Sequence, residues 1–302
     1  MKRLLYATLS AAALVLHCSG PMQSARDRVE AWTKVHGGWF SEDFKTVGVA
    51  PPDPDGVARL ELDSTNVKDA DLEHIDALGH IYSLNLTNTG ITDAGLVYVS
   101  RLSSLWYLTL DQTKITDDGL ASVSRLLDLQ DLGLSHVTQI TDAGLARLST
   151  LSKLRALVLT DTAIDGSGLT ALQKGKIEVL SLDATHVDDR ALAAIGQMPR
   201  LRILLLSGTR VTDAGLHHLG ALGELESLDL ERTAITGEGL GYLAALPKLK
   251  ALALNNTRLG EGAGALLATL KGLELLQVVG AGLSAEAIES IKRALPRCNV
   301  QS

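Results

Sequence analysis

Aromatic side chains are scarce in this chain: two Phe, three Trp and five Tyr among 302 residues. A core with so few rings has to be aliphatic and layered, because rings otherwise supply the largest single burials. Cysteine is scarcer still. Cys18 and Cys298 are the only two, too few for a disulfide framework and not paired at zinc-ligand spacing. Positive charge is short: 28 Lys and Arg stand against 35 Asp and Glu, a net charge of −7. Loss of Lys2 and Arg3 with a cleaved leader would bring it to −9 (26 basic against 35 acidic). That balance excludes a nucleic-acid partner, which needs a basic face to neutralise phosphates. Nor is there a comfortable membrane span. The apolar run Leu4–Leu16 has 13 residues, where a spanning helix needs ~20.

That run is nevertheless informative. Lys2 and Arg3 precede it, and it ends at Cys18–Ser19–Gly20, the shape of an export signal. The stretch resembles a bacterial lipoprotein leader, which implies that Cys18 is acylated and becomes the new N-terminus, tethering the protein to a membrane. His17 departs from the pattern, standing where Ala or Gly is usual. The alternative is an ordinary cleaved leader; Pro21 and the absence of an A-x-A site weigh against it. The expected organisation is a leader at 1–18, a linker and capping segment at 19–56, and one repeat domain at 57–302 with a C-terminal cap over about 284–302.

The repeat is what the chain has in abundance. ITDAGL stands at Ile91–Leu96 and again at Ile140–Leu145, with ITDDGL at Ile115–Leu120, VTDAGL at Val211–Leu216 and ITGEGL at Ile235–Leu240. Aligned on this phrase, ten units begin at Val57, Ile81, Leu105, Leu129, Leu154, Ile177, Leu201, Leu225, Leu249 and Leu273, with a period of 24. Only the fourth and fifth units slip, by one residue in opposite directions. In the unit Leu105–Asp128, Leu108 and Leu110 alternate with Tyr107 and Thr109, which puts the two leucines on one face of a short strand. Thr116 reads as a helix N-cap and Asp117 as the acid that suits the helix's positive end. The Gly reads as permitting a tight strand-to-helix approach. Leu120, Val123 and Leu126 or Leu127 form a helical stripe. Such a unit cannot bury its apolar face alone, and stacking buries it against the next.

The pattern LxxLxLxxTxITDxGLxxLxxL resembles a leucine-rich repeat with Thr where many repeats carry Asn or Cys. It is similar to repeats of ribonuclease-inhibitor-like and F-box-associated proteins, and more so to exported repeat proteins of planctomycete- or myxobacteria-like bacteria. KVHGGWF at Lys34–Phe40 and ALPRCNV at Ala294–Val300 resemble the flanks of those proteins. The resemblance implies an α/β solenoid, a right-handed superhelix with parallel strands on the concave face and helices on the convex face, and no catalytic residues. The ends of such a stack need caps. Trp32, on a helix expected over Ser24–Val35 with Val29 and Val35, reads as the first together with Trp39 and Phe40, and Ile288, Ile291, Leu295 and Cys298 as the last.

A search for chemistry returns little. His217 and His218 are adjacent and diverge by about 100° on a helix; no His pair has the i, i+4 spacing of metal ligands. The ladder Asp69, Asp93, Asp117, Asp142 and Asp213 suggests calcium, but helix starts already account for it. GEGAG at Gly260–Gly264 lacks the phosphate-loop Lys, and no GxSxG elbow appears. No enzyme activity, cofactor, metal or small-molecule substrate is expected.

What is left is surface. The third, fifth and seventh positions of each unit face out from the concave sheet, roughly 45 Å long at ~4.8 Å per strand. In the middle units the third and fifth positions turn apolar, while the seventh stays polar or acidic until the last unit. The expected protein- or peptide-binding site comprises Tyr107, Val158, Val179, Ile203 and Leu205, framed by Asp111, Asp183 and Asp229, because an apolar patch in a polar frame marks a docking site. The alternative is that neighbouring side chains simply cover one another. A basic strip, Lys153, Arg155, Lys174, Lys176, Arg200 and Arg202, is expected along the helix-to-strand edge, there to meet headgroups or an acidic partner or to stand solvated. Three rival roles are a substrate receptor of the ubiquitin-ligase type, an enzyme using the solenoid as a scaffold, for which no unit carries the inserted loop it would need, and a structural envelope protein without a specific ligand.

Overall fold

The computed structural model describes residues 58–78 and 81–302. The leader, Cys18 and the capping segment expected at 19–56 lie outside these residues. Eleven strands form one parallel sheet in strict chain order. They are β1 (Ala58–Glu61), β2 (Ile81–Asn85), β3 (Tyr107–Thr109), β4 (Asp131–Gly133), β5 (Ala156–Val158), β6 (Val179–Ser181), β7 (Ile203–Leu205), β8 (Ser227–Asp229), β9 (Ala251–Ala253), β10 (Leu275–Gln277) and β11 (Asn299–Gln301). Apart from a shift between Ala58 and Arg59 where β1 meets β2, the register is constant, Tyr107 beside Asp131 and Val179 beside Ile203, so equivalent positions stack directly. The repeat pattern accounts for ten of these strands. The eleventh is polar and leucine-free, and it pairs with β10 through backbone groups.

Short helices link the strands and pack on the helices of the units before and after. Those in the α conformation are α1 (Asp93–Val99), α2 (Asp117–Val123), α3 (Asp142–Arg147), α4 (Asp189–Ile195), α5 (Ala263–Leu267) and α6 (Ala285–Ala294). Ser167–Leu172, Asp213–Ala221 and Glu238–Ala245 wind as 3₁₀ helices instead. Two of these three carry Gly, at 166 and 237, where the first four units and the sixth and seventh carry Asp; for Asp213–Ala221 we have no physical account. The expected caps are present. The hydroxyls of Thr92, Thr116, Thr141 and Thr212 accept the N–H of the residue two further on.

The core is one continuous aliphatic layer between sheet and helices. Leu108, Leu110, Ile115, Leu120, Val123 and Leu126 are all buried, whereas Leu127 is exposed, which settles the choice within the helical stripe. At the far end Ile291 and Leu295 are buried, while Cys298, expected to be a buried cap residue, is half-buried; burial pushes its thiol up to about 11.

The Thr of each unit has a fixed structural role. Thr89, Thr113, Thr162, Thr185, Thr209, Thr233 and Thr257 each donate their hydroxyl to the carbonyl of the Leu three residues earlier, at 2.6–2.7 Å. This tightens the turn that leaves the strand. The residue just before each of these Thr has positive φ, and eight of the ten such turn residues are not Gly. Ala184, at φ 55°, has no polar side chain to bond locally and carries the full Cβ penalty of the left-handed region. Ala184→Gly is expected to stabilise the chain by about 0.5–1 kcal/mol, read as a raised urea midpoint; an unchanged or lowered midpoint would contradict the strain.

Candidate binding surface

The structure places all eight expected site residues on the concave face. Tyr107, Val158, Val179, Ile203, Leu205 and Asp229 lie within strands, and Asp111 and Asp183 follow the ends of β3 and β6. Val158, Val179, Ile203 and Leu205 occupy three adjacent strands, so the apolar stripe is contiguous across β5–β7. These side chains are not on open display: Val158, Ile203 and Leu205 are each 3% exposed.

The acids are partly structural. Asp111 Oδ1 accepts the Ser135 N–H at 2.9 Å, and Asp183 Oδ1 accepts the Ser207 N–H at 2.7 Å. Each therefore ties its own strand end to the next. Asp229 Oδ1 accepts from Glu231 N–H at 2.8 Å within its own strand end, and its Oδ2 has no hydrogen-bond partner among the described residues. Burial pushes Asp183 up to about 6, against the Ser207 N–H, the Ser181 hydroxyl and the nearby Arg232 charge. Asp229 is raised well above the usual carboxylate range, by burial first and then by the Asp183 charge.

The repeated Asp of the TDxG phrase does more than face a helix dipole. Asp93 Oδ1 and Oδ2 accept the N–H and hydroxyl of Thr116 in the next unit, at 2.8 and 2.7 Å. Asp69, Asp117 and Asp189 hold Thr92, Thr141 and Thr212 in the same two-pronged way. The carboxylate thus sits at the start of its own helix and staples the cap of its neighbour, and no calcium is needed to explain the ladder. Among the described residues no group of three or more His, Cys, Asp or Glu could hold a metal ion.

The comparisons with known proteins agree with this geometry. A family model described as Leucine Rich repeat matches residues 80–100, 150–172 and 225–244. In three dimensions the chain is similar to internalin C2 from Listeria monocytogenes, with a TM-score of 0.55 and 26% identity over 70% of this chain and 84% of that one. The chain is a leucine-rich repeat protein. Internalin F of the same organism is similar in fold, with a TM-score of 0.56, 18% identity and coverage of 82% and 80%. No curated protein matches the chain in sequence.

One expectation about this leucine-rich repeat protein is narrowed. Of the strip from Lys153 to Arg202, already interrupted by Glu178, the cations Lys153, Arg155 and Arg202 are paired, so the docking use of the edge loses ground to the reading of an ordinary charged edge. The second position of successive units reads Arg155, Glu178, Arg202, Glu226, Lys250, Glu274, alternating in sign along the stack. Arg155 meets Glu178 in a two-pronged pair at 2.9 Å, Arg202 meets Glu226 at 2.6 Å, and Lys250 meets Glu274 at 3.6 Å. Lys153 is likewise paired, with Asp128 at 2.6 Å. The paired cations Lys153, Arg155 and Arg202 leave little field of their own to steer an anionic partner. A further feature, absent from the sequence expectations, is the turn row Asn88, Gln112, His136, Asp161, Ala184, Arg232 and Asn256. Its signal is only partly present in the letters: Asn88, His136, Asp161 and Asn256 tolerate left-handed backbone, whereas Gln112, Ala184 and Arg232 give no such sign.

Proposed function

We propose that this leucine-rich repeat protein is a non-enzymatic binding module for a protein or peptide, with the concave face of its middle repeats as the contact surface. The observation that carries this reading is the contiguous apolar stripe Val158–Val179–Ile203–Leu205 at positions where the repeat has no structural demand for aliphatic residues. The other repeated residues are occupied within the fold, as core Leu, turn-tightening Thr, stapling Asp and paired edge charge. We further propose export through the leader and tethering through acylated Cys18, a reading that rests on residues 1–20 of the sequence.

The test is Ile203→Arg in the full chain. We expect capture of a partner from membrane extract to be lost while circular dichroism and thermal melting stay those of the parent. Thr160→Arg, at a half-buried strand end of the same stripe, is the companion in case a charge at 203 unfolds the repeat. Capture retained by both folded variants would remove the stripe from consideration. For the tether, labelling with a fatty-acid analogue is expected in the parent and absent in Cys18→Ala; an unlabelled parent found in the cytosol would refute export and anchoring together.

A further inference from the structure

We propose that the partner presents a Lys or Arg side chain, flanked by aliphatic ones, and that this cation lies over Leu205 between Asp183 and Asp229. The proposal rests on the concave-face reading above and names the chemistry of what binds there. From β3 to β10, the outward-facing strand positions and the residue beyond each strand end include Asp111, Asp131, Asp183, Asp229 and Glu231 and not one Lys or Arg. Asp183 and Glu231 close the ends of β6 and β8, and Asp229 lies within β8. β7 runs between them with Ile203 and Leu205 on the same face. Carboxylates thus flank an aliphatic pair on both sides, about 10 Å apart along the sheet at two strand spacings.

This is more than an acidic cluster. Ser227, two residues before Asp229 and therefore on the same face, is 3% exposed and its hydroxyl has no partner among the described residues, as is also true of Asp229 Oδ2. Polar atoms shielded in this way are expected to find a hydrogen-bond partner. A donor-only group with a long aliphatic stem satisfies the acceptors with its head and covers Leu205 with its stem. The compensating cation within the molecule is Arg232, on the exposed turn, which donates to the Ser207 hydroxyl at 3.0 Å. Asp183 faces Ser181, Ser207, Arg232 and Glu231; Asp229 faces Asp183, Glu231 and Arg232. The two like charges act against each other, and an added cation relieves that.

The probe is a fluorescein-labelled ten-residue peptide alternating Lys and Ile, with a Glu/Ile peptide as its counterpart, read by anisotropy against the full chain. The Lys/Ile peptide is expected to bind and the Glu/Ile peptide not. Asp183→Asn with Asp229→Asn is expected to weaken the Lys/Ile peptide at least tenfold. Glu238→Gln with Glu261→Gln, which removes the same charge from exposed helix starts of nearby units, should weaken it less than twofold. Because Asp183 titrates near 6, affinity for the Lys/Ile peptide should fall as pH drops from 7 to 5, the carboxyl then having to give up its proton to pair. Equal losses in the two double variants, or equal binding of the two peptides, would overturn the proposal. A doubled mass by light scattering that the Asp variant abolishes would place a second copy of the chain there instead. If Ile203→Arg abolishes capture while the Asp variant leaves it intact, the concave-face reading survives and the cation does not.

Discussion

Gly119→Ala is expected to cost about 3–5 kcal/mol, a large loss for a change of one methyl group at a helix position where Ala is normally the better residue. The cause lies in the preceding unit. A Cβ at Gly119 would run into Asp93 Oδ1, the same oxygen that accepts the Thr116 N–H at 2.8 Å. The variant must therefore either push the carboxylate away, losing charge-assisted hydrogen bonds of about 1.5–3 kcal/mol each before any discount for partial exposure, or accept overpacking of about 1–3 kcal/mol. The chain itself indicates the remedy. Where one unit carries Gly in place of this Asp, the next carries Ala in place of this Gly: Gly166 precedes Ala191, and Gly237 precedes Ala263. Asp93→Gly with Gly119→Ala copies that pairing. Asp93→Gly alone should cost about 2–3 kcal/mol from the lost staple, and the double variant about the same rather than the sum. A urea double-mutant cycle gives the answer: additive costs would show that the methyl group and the carboxylate do not compete for one space.

Arg202→Glu is the second change with a large expected effect. Arg202 and Glu226 are 16% and 13% exposed, so the pair is shielded enough for its loss to matter. The variant sets Glu178, the new Glu and Glu226 side by side just before three consecutive strands, ~4.8 Å apart; Glu178 keeps Arg155, but Glu226 loses its cation and gains a like charge beside it. We expect a loss of about 3 kcal/mol or more, against about 1–2 for Arg202→Gln, because breaking one partner of a shielded pair leaves the other charge uncompensated. The difference between the two variants should shrink in 1 M salt as the mutual repulsion is screened. Equal small losses, under about 0.5 kcal/mol, would mean that the alternation contributes nothing to stability.

Both results concern contacts between units, and that is where the sequence is hardest to read. Within a unit the letters suffice. Leu108 and Leu110 alternate, Thr116 caps, Leu120 and Val123 follow at helical spacing, and the period of 24 gives the stack. Asp93 and Gly119 each have a local reason, helix dipole for one and tight packing for the other. Their main relation is to each other, across 26 residues, and it appears only when one unit is laid over the next. The edge charges mislead for the same reason. Read along the chain, Arg155, Lys174, Lys176, Arg200 and Arg202 look like a basic strip; read down the second position, Arg155–Glu178–Arg202–Glu226 is a ladder of opposite signs. The proposed binding stripe is legible because it breaks the repeat's own rule, whereas the shielding of Asp183 and Asp229 and their raised proton affinity follow from three-dimensional packing that spacing does not encode. Asn299–Gln301 escapes a pattern-based reading because edge pairing uses the backbone and needs no leucine.

The staples are not continuous. Asp69, Asp93, Asp117 and Asp142 fasten the first five units to one another, Gly166 leaves the fifth-to-sixth joint without a carboxylate, Asp189 and Asp213 fasten the next three, and Gly237 interrupts again. The ninth unit carries Glu261 at the Asp position and makes no such bond to the tenth among the described residues, so a rod so assembled has three unstapled joints, and under tension along its axis those are the places that open first. One of them falls between Val158 and Val179, so the stripe assigned to the partner is spread over two blocks whose separation a bound segment would have to clamp shut.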